Sequence, residues 1–224
     1  PVEAGRDAHY AYGKYAVYPG NNFAEHLRPF TEGAFSLDGK TEKASAVMPY
    51  YTVSYNIDKK YGENVGNSYN KYLIQDLLRE ELGYQGVVCT DWGITHDTGK
   101  TEEEFAGKCW GVEHITEAER HLKALEAGVD QFGGNNEVAP LMDAYKMACE
   151  KYGKKETEAR FRRSAYRLLL NIFRTGLFEN PYLDLEESEK TVGCQAFVEA
   201  GYESQLKSVT LLKNNEERFE SICP

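Results

Sequence analysis

Gly83-Tyr84-Gln85-Gly86-Val87-Val88-Cys89-Thr90-Asp91-Trp92 is the stretch on which the reading of this chain turns. Upstream of it, Tyr72, Leu73, Leu77, Leu78 and Leu82 recur at helical spacing, and Gly83 stands where a C-terminal cap belongs. The spacing predicts a helix from about Ser68 to Leu82 and a buried strand over 87–90. In a parallel sheet with crossover helices, ligands bind at the mouth formed by the strand C-termini. Asp91 and Trp92 fall at that mouth, a carboxylate beside a flat apolar ring. The pair suits a sugar, whose ring offers C–H groups on its face and hydroxyls on its rim. Read without context, Asp91 is an aspartate capping the turn after a strand.

The same logic extends outward in both directions. A strand is expected at Ala44 to Met48, followed by a loop over 52–66 that leads to the helix. After Trp92 a loop runs to about Ile115, with a short helix expected at 101–104. Glu117 to Ala127 reads as a helix stopped by Gly128, and Val129 to Phe132 as a strand ending at Gly133-Gly134. Two further helices are expected over 138–152 and 156–175, with Gly153 and Gly176 as stops. Residues 1–22 read as a long loop over a site, Phe23 to Phe35 as a helix interrupted near Pro29, and 36–43 as a turn around Asp38-Gly39. Asn180-Pro181 marks a turn, 184–189 an acidic linker, and Gln195 to Lys207 a final helix.

The opening stretch resembles the nucleophile motif of glycoside hydrolase family 3, Gly-x-x-Gly-x-Val-x-Ser-Asp-Trp, with Thr90 in the serine position. Four further segments resemble that family in its order: Ala46-Val47-Met48-Pro49-Tyr50-Tyr51, Ala124-Leu125-Glu126-Ala127-Gly128-Val129-Asp130, the run Phe173 to Tyr182, and Ser208 to Asn214. The resemblance implies an α/β fold: the C-terminal part of a (β/α)8 TIM-type barrel, about three strands with their helices, then a linker helix. It places the barrel portion at 1–180 and the linker with the start of a second α/β domain at 181–224. It also implies an internal piece of a longer enzyme, whose missing partners are the N-terminal barrel half and the C-terminal domain of the same parent. Alone, such a piece is expected to be inactive and poorly folded. Residues Glu216 to Glu220 depart from the family's continuation.

The implied chemistry is hydrolysis of terminal β-D-glucosides by a retaining double displacement, with Asp91 as nucleophile. Trp92, Tyr51 and Met48 are the implied substrate-binding residues, Tyr51 lying against the nucleophile; adjacent Tyr50 would take that role if the register shifts by one. Without the resemblance, Met48 reads equally as core filling and Trp92 as a ring packed under a loop. In two-domain members the acid/base glutamate comes from the second domain. Asp7-Ala8-His9 offers another donor, because it resembles the Asp-Ser-His dyad of the family's β-N-acetylhexosaminidase branch. A non-catalytic carbohydrate-binding relic is the alternative outside enzymology. The substrate would be a β-linked glucoside or oligosaccharide, and the resemblance favours a periplasmic or secreted setting.

Composition restricts the remaining classes. A net charge of −10 argues against nucleic acid as a partner, and no apolar run approaches the roughly 20 residues of a membrane span. The five cysteines are odd in number and widely spaced, which predicts neither a disulfide framework nor a zinc array, and no metal or cofactor is expected. Gly-rich phosphate fingerprints are absent.

Overall fold

The computed structural model describes residues 6–213; the departing segment Glu216 to Glu220, Asn214 and Cys223 lie outside them. Two compact units divide at Thr175/Gly176. The first is mixed α/β and holds every residue of interest for function.

Its centre is a short parallel ribbon. β2 (Ala46–Val47) and β4 (Val87–Val88) pair in parallel, Ala46 opposite Val87 and Val47 opposite Val88. Cys89 then bridges Gln131 in parallel on the far side of β4. The expected strands at 44–48, 87–90 and 129–132 are therefore neighbours in the expected order, but shorter, and the third is reduced to one bridge. Each crossover between them carries a helical segment, as two strand-helix-strand units require. α2 (Glu117–Ala127) has the predicted bounds. Thr116 and Glu119 cap it reciprocally, and Gly128 closes it at φ 117°, a left-handed angle that glycine adopts freely. α3 (Val138–Tyr152) and α4 (Lys154–Arg174) follow, and α4 begins two residues before the predicted start.

Several expectations are corrected. Residues 72–81 form a π-helical segment preceded by a 3₁₀ turn at Asn67–Tyr69, rather than one α-helix from Ser68. Leu82 N–H reaches back five residues to Leu77 C=O, a wider ladder that a 3.6-residue pattern does not distinguish. α1 (Phe23–Arg28) likewise passes at Pro29 into a π-helical segment, Pro29–Ala34, so the predicted interruption becomes a change of helix type. The loops at 1–22 and 52–66 each contribute a strand: β1 (Tyr15–Ala16) pairs in parallel with β3 (Val53–Ser54). Two-residue strands carry no alternation to read. Residues 101–104 form turns instead of a helix. The acidic segment after Asp184 is α5 (Leu185–Thr191), with the Asp184 carboxylate accepting from Glu187 N–H at 2.9 Å. α6 (Gln195–Ser208) matches the last predicted helix to within a residue.

One buried network fixes the ribbon. The Asp130 side chain is fully buried, and its Oδ2 accepts from Arg79 at 2.5 Å and from Val88 N–H at 3.1 Å. Its Oδ1 accepts from Ser164 at 2.7 Å and Arg167 at 3.0 Å. Arg79 also donates to the carbonyls of Tyr84 and Gly86, clamping the turn into β4. Burial pushes the Arg79 guanidinium down, and the Asp130 charge opposes it. Removing the anion would strand a buried cation, which typically costs about 3–5 kcal/mol. Asp130→Asn is therefore expected to destabilise the protein by roughly that amount in urea denaturation; a midpoint within experimental error of the wild type would refute the assignment of this network as the lock on β4.

Candidate active site

Asp91 sits two residues past the Cys89–Gln131 pairing, 8% exposed, with Oδ1 accepting from Trp92 N–H at 2.8 Å. That bond is the turn-capping contact expected of any aspartate at a strand end. The other contacts are not. The Tyr51 phenol is 3% exposed and lies against the Asp91 carboxylate. Burial, then the adjacent Asp91 charge, push the Tyr51 pKa well above that of a free phenol. Tyr51 rather than Tyr50 therefore faces the carboxylate. Tyr50 occupies a left-handed conformation at φ 67°, unusual for an aromatic residue, and this turn aims Tyr51 inward.

Thr90 and Trp92 are held by the glycines at the next strand end. Gly133 N–H donates to Thr90 Oγ1 at 2.8 Å, so the hydroxyl shared with serine has a structural partner. A Cβ on Gly134 would lie 1.9 Å from Trp92 Cδ1, so the indole rests directly on the glycine backbone. Trp92 is nonetheless 58% exposed and presents its ring to solvent next to Asp91. Met48 behaves differently. It is half exposed on the wall of an apolar cleft of about 330 Å³ with Tyr18, Phe30, Pro49 and Tyr50, and Asp91 does not line that cleft.

The 7–9 segment closes on the same centre. His9 Nδ1 and Asp7 Oδ1 are 2.7 Å apart, and His9 N–H also donates to that oxygen at 2.9 Å. Those two bonds pull the Asp7 carboxyl below its usual value. The His9 ring meets Tyr51 edge-on at 5.2 Å between centroids and stacks on Phe105 at 5.9 Å. Gly13 permits this fold, since a Cβ there would lie 2.0 Å from the Asp7 carbonyl oxygen.

Lys108 joins the cluster without any signal in the sequence. Lys108 is 3% exposed, its Nζ lying 4.0 Å from the Phe105 ring centroid and 5.0 Å from that of Tyr51. Burial lowers its pKa, while the charges of Asp91 and Asp7 oppose the shift. An isolated Lys in a loop has no periodicity or motif to mark it. The result is a carboxylate with a phenol against it, an indole beside it, and a buried lysine and an imidazole–carboxylate pair close by.

Residues 6–170 match the profile of the Glycosyl hydrolase family 3 N terminal domain. The chain belongs to glycosyl hydrolase family 3. Over 217 residues it is 42% identical to probable beta-glucosidase C of Aspergillus flavus, an alignment covering 97% of this chain and 32% of that relative. It is 40% identical over 222 residues to the periplasmic beta-glucosidase/beta-xylosidase of Dickeya chrysanthemi, covering 94% of this chain and 32% of the relative. The chain thus spans about a third of the length of these relatives. Among solved structures, a beta-glucoside phosphorylase, BglX, bound to 2FGlc superposes with a TM-score of 0.69 at 16% identity, over 96% of this chain and 36% of that one. At that identity the likeness concerns the fold alone.

The indole seat gives a direct test of the site's architecture. Gly134→Ala is expected to destabilise the protein by about 1–3 kcal/mol through overpacking against Trp92, together with left-handed strain at φ 61°. In a Trp92→Ala background only the strain should persist. Equal losses in both backgrounds, measured by urea denaturation, would show that the indole does not rest there.

Proposed function

We propose that this chain supplies the nucleophile half of a retaining β-glucosidase active site, with Asp91 as nucleophile. The observation that carries the reading is the buried Tyr51 phenol set against the Asp91 carboxylate beside the exposed Trp92 ring. Names of the relatives support the substrate class: both the Aspergillus and Dickeya proteins are called beta-glucosidases. In the proposed reaction an Asp91 oxygen attacks the anomeric carbon as the glycosidic C–O bond breaks, and a proton is delivered to the departing oxygen. Water then displaces Asp91 from the glycosyl-enzyme with release of the sugar. Tyr51 holds the attacking carboxylate in line, and Trp92 offers a stacking face to the ring.

The architectural reading belongs to the same proposal. Residues 1–180 form the C-terminal portion of a (β/α)8 barrel, supported by three parallel neighbours joined through helical crossovers with Asp91 at a strand C-terminus. Residues 181–224 form a linker and the start of a second domain. The relatives are about three times as long as the matched segment, so activity is assigned to the full-length protein and the 224-residue chain alone is proposed to be inactive. A periplasmic or secreted setting is proposed from the Dickeya relative's name. No helix among the described residues is long and apolar enough to cross a membrane.

A second reading rests on one observation, the contact of the Asp7-paired His9 ring with Tyr51. In it, His9 is the proton donor and the substrate is an N-acetylhexosaminide.

Kinetics on an aryl β-glucoside separate these readings. Asp91→Asn is expected to lower kcat by several orders of magnitude with the fold intact, because the covalent route is lost. Tyr51→Phe should lower kcat roughly 10- to 100-fold, the worth of one hydrogen bond to a charged group. His9→Ala should change turnover of a poor leaving group only modestly. A loss of roughly a hundredfold or more there would favour the His9 reading, and near-wild-type turnover by Asp91→Asn would end both.

A further inference from the structure

Outside the Asp91 cluster, three metal-ligating side chains converge from separate segments. His96 comes from the loop after β4, Glu117 from the first turn of α2, and Glu137 from the residue before α3. One donor atom of each lies within 4.8 Å of the other two. His96 Nε2 is 3.5 Å from Glu117 Oε1 and 3.9 Å from Glu137 Oε2. That nitrogen is buried and has no hydrogen-bond partner among the described residues, although the side chain as a whole is 41% exposed. A buried ring nitrogen without a partner is unfavourable unless something else satisfies it.

The surroundings hold the donors in place and leave space between them. Thr116 caps α2 and so fixes the backbone of Glu117. The Thr95 hydroxyl lies 3.4 Å from Glu117 Oε1 and accepts from Asn135 Nδ2 at 3.2 Å, while Glu137 N–H donates to Asn135 Oδ1 at 2.8 Å. One chain of polar contacts therefore supports two of the three donors, the kind of outer support that metal ligands carry. The donors face a cavity of about 560 Å³. Arg120, which also lines the cavity, is engaged by Asp97 at 2.7 Å and by the Thr95 carbonyl at 2.9 Å, and among the described residues no Lys or Arg pairs with either glutamate.

The donor set and its spacing narrow the ligand. Tetrahedral zinc with bonds of about 2.0–2.1 Å places its ligands roughly 3.4 Å apart, which the His96–Glu117 separation of 3.5 Å matches and to which Glu137, 3.9 Å from His96, would close by a small side-chain movement. One imidazole with two carboxylates suits zinc or manganese, whereas calcium and magnesium prefer oxygen alone. We propose that His96, Glu117 and Glu137 bind one divalent transition-metal ion, zinc or manganese, which ties the loop following Asp91 to the starts of α2 and α3. The site is distinct from the Asp91 cluster and stands independently of the glycosidase reading.

The test is Mn²⁺ binding to the full-length protein, stripped with chelator and titrated while electron paramagnetic resonance reads free ion. Manganese is chosen because it avoids competition from the free cysteines, and zinc then serves as a competitor. Expected is a zinc-displaceable site whose affinity falls at least about tenfold in Glu137→Gln and in His96→Gln. Thermal unfolding of the wild type should rise with the ion, and that of either variant should not. Glu137 is mostly exposed, so its substitution leaves folding intact. Absence of such a site, or wild-type affinity in either variant, overturns the proposal.

Discussion

The Asp130 carboxylate is the constraint on which the rest of the first unit depends. It accepts the N–H of Val88 while its own N–H donates to the Val88 carbonyl, so a side chain completes the ladder on one side of β4. Arg79 holds the same carboxylate from the helical segment before β4, and Ser164 and Arg167 hold it from α4. Asp91 lies three residues beyond Val88. Side chains alternate along a strand, so a one-residue slip would turn Asp91 away from the mouth and present a neighbour instead. A buried ion network adds little net stability compared with apolar packing, but it selects one register sharply. Here register is what the proposed chemistry needs.

The same economy explains the shape of the site. Tyr51 reaches Asp91 because Tyr50 turns left-handed, and Trp92 stands out because Gly134 lets the indole sit on bare backbone. Lys108 and the Asp7–His9 pair then surround the Tyr51–Asp91 contact with charge in a partly desolvated setting, where each interaction is stronger than in water.

How much of this was legible in the sequence follows from what each feature leaves behind. α2 was readable to the residue because Gly128 and the apolar spacing mark it, and the Thr116–Glu119 cap is itself a sequence signal. The order of the three parallel segments was also readable, although their length was not, since the pairing spans only two residues before the chain turns. β1 and β3 left no trace for the same reason. The π-helical ladder at Tyr72–Glu81 shares its apolar positions with an α-helix, so spacing alone predicted the helix and missed its type. Asp91, Tyr51 and Trp92 stand in motifs legible in the sequence, and the structure brings them together. Lys108 stands in none, because it enters from a loop without period. Met48 was grouped with Asp91 by its place in a motif, yet it lines a separate apolar cleft. The approach of His9 to Tyr51 depends on the close packing that Gly13 allows, a tertiary fact no local pattern encodes.

Whether Asp91 is the nucleophile is decided most directly by covalent trapping. The full-length protein would be incubated with an activated 2-deoxy-2-fluoro-β-glucoside, digested, and the labelled peptide sequenced by mass spectrometry. The account predicts a single fluoroglucosyl ester on Asp91. An ester on another carboxylate, or full turnover of β-glucosides with no trapped intermediate at all, would contradict it.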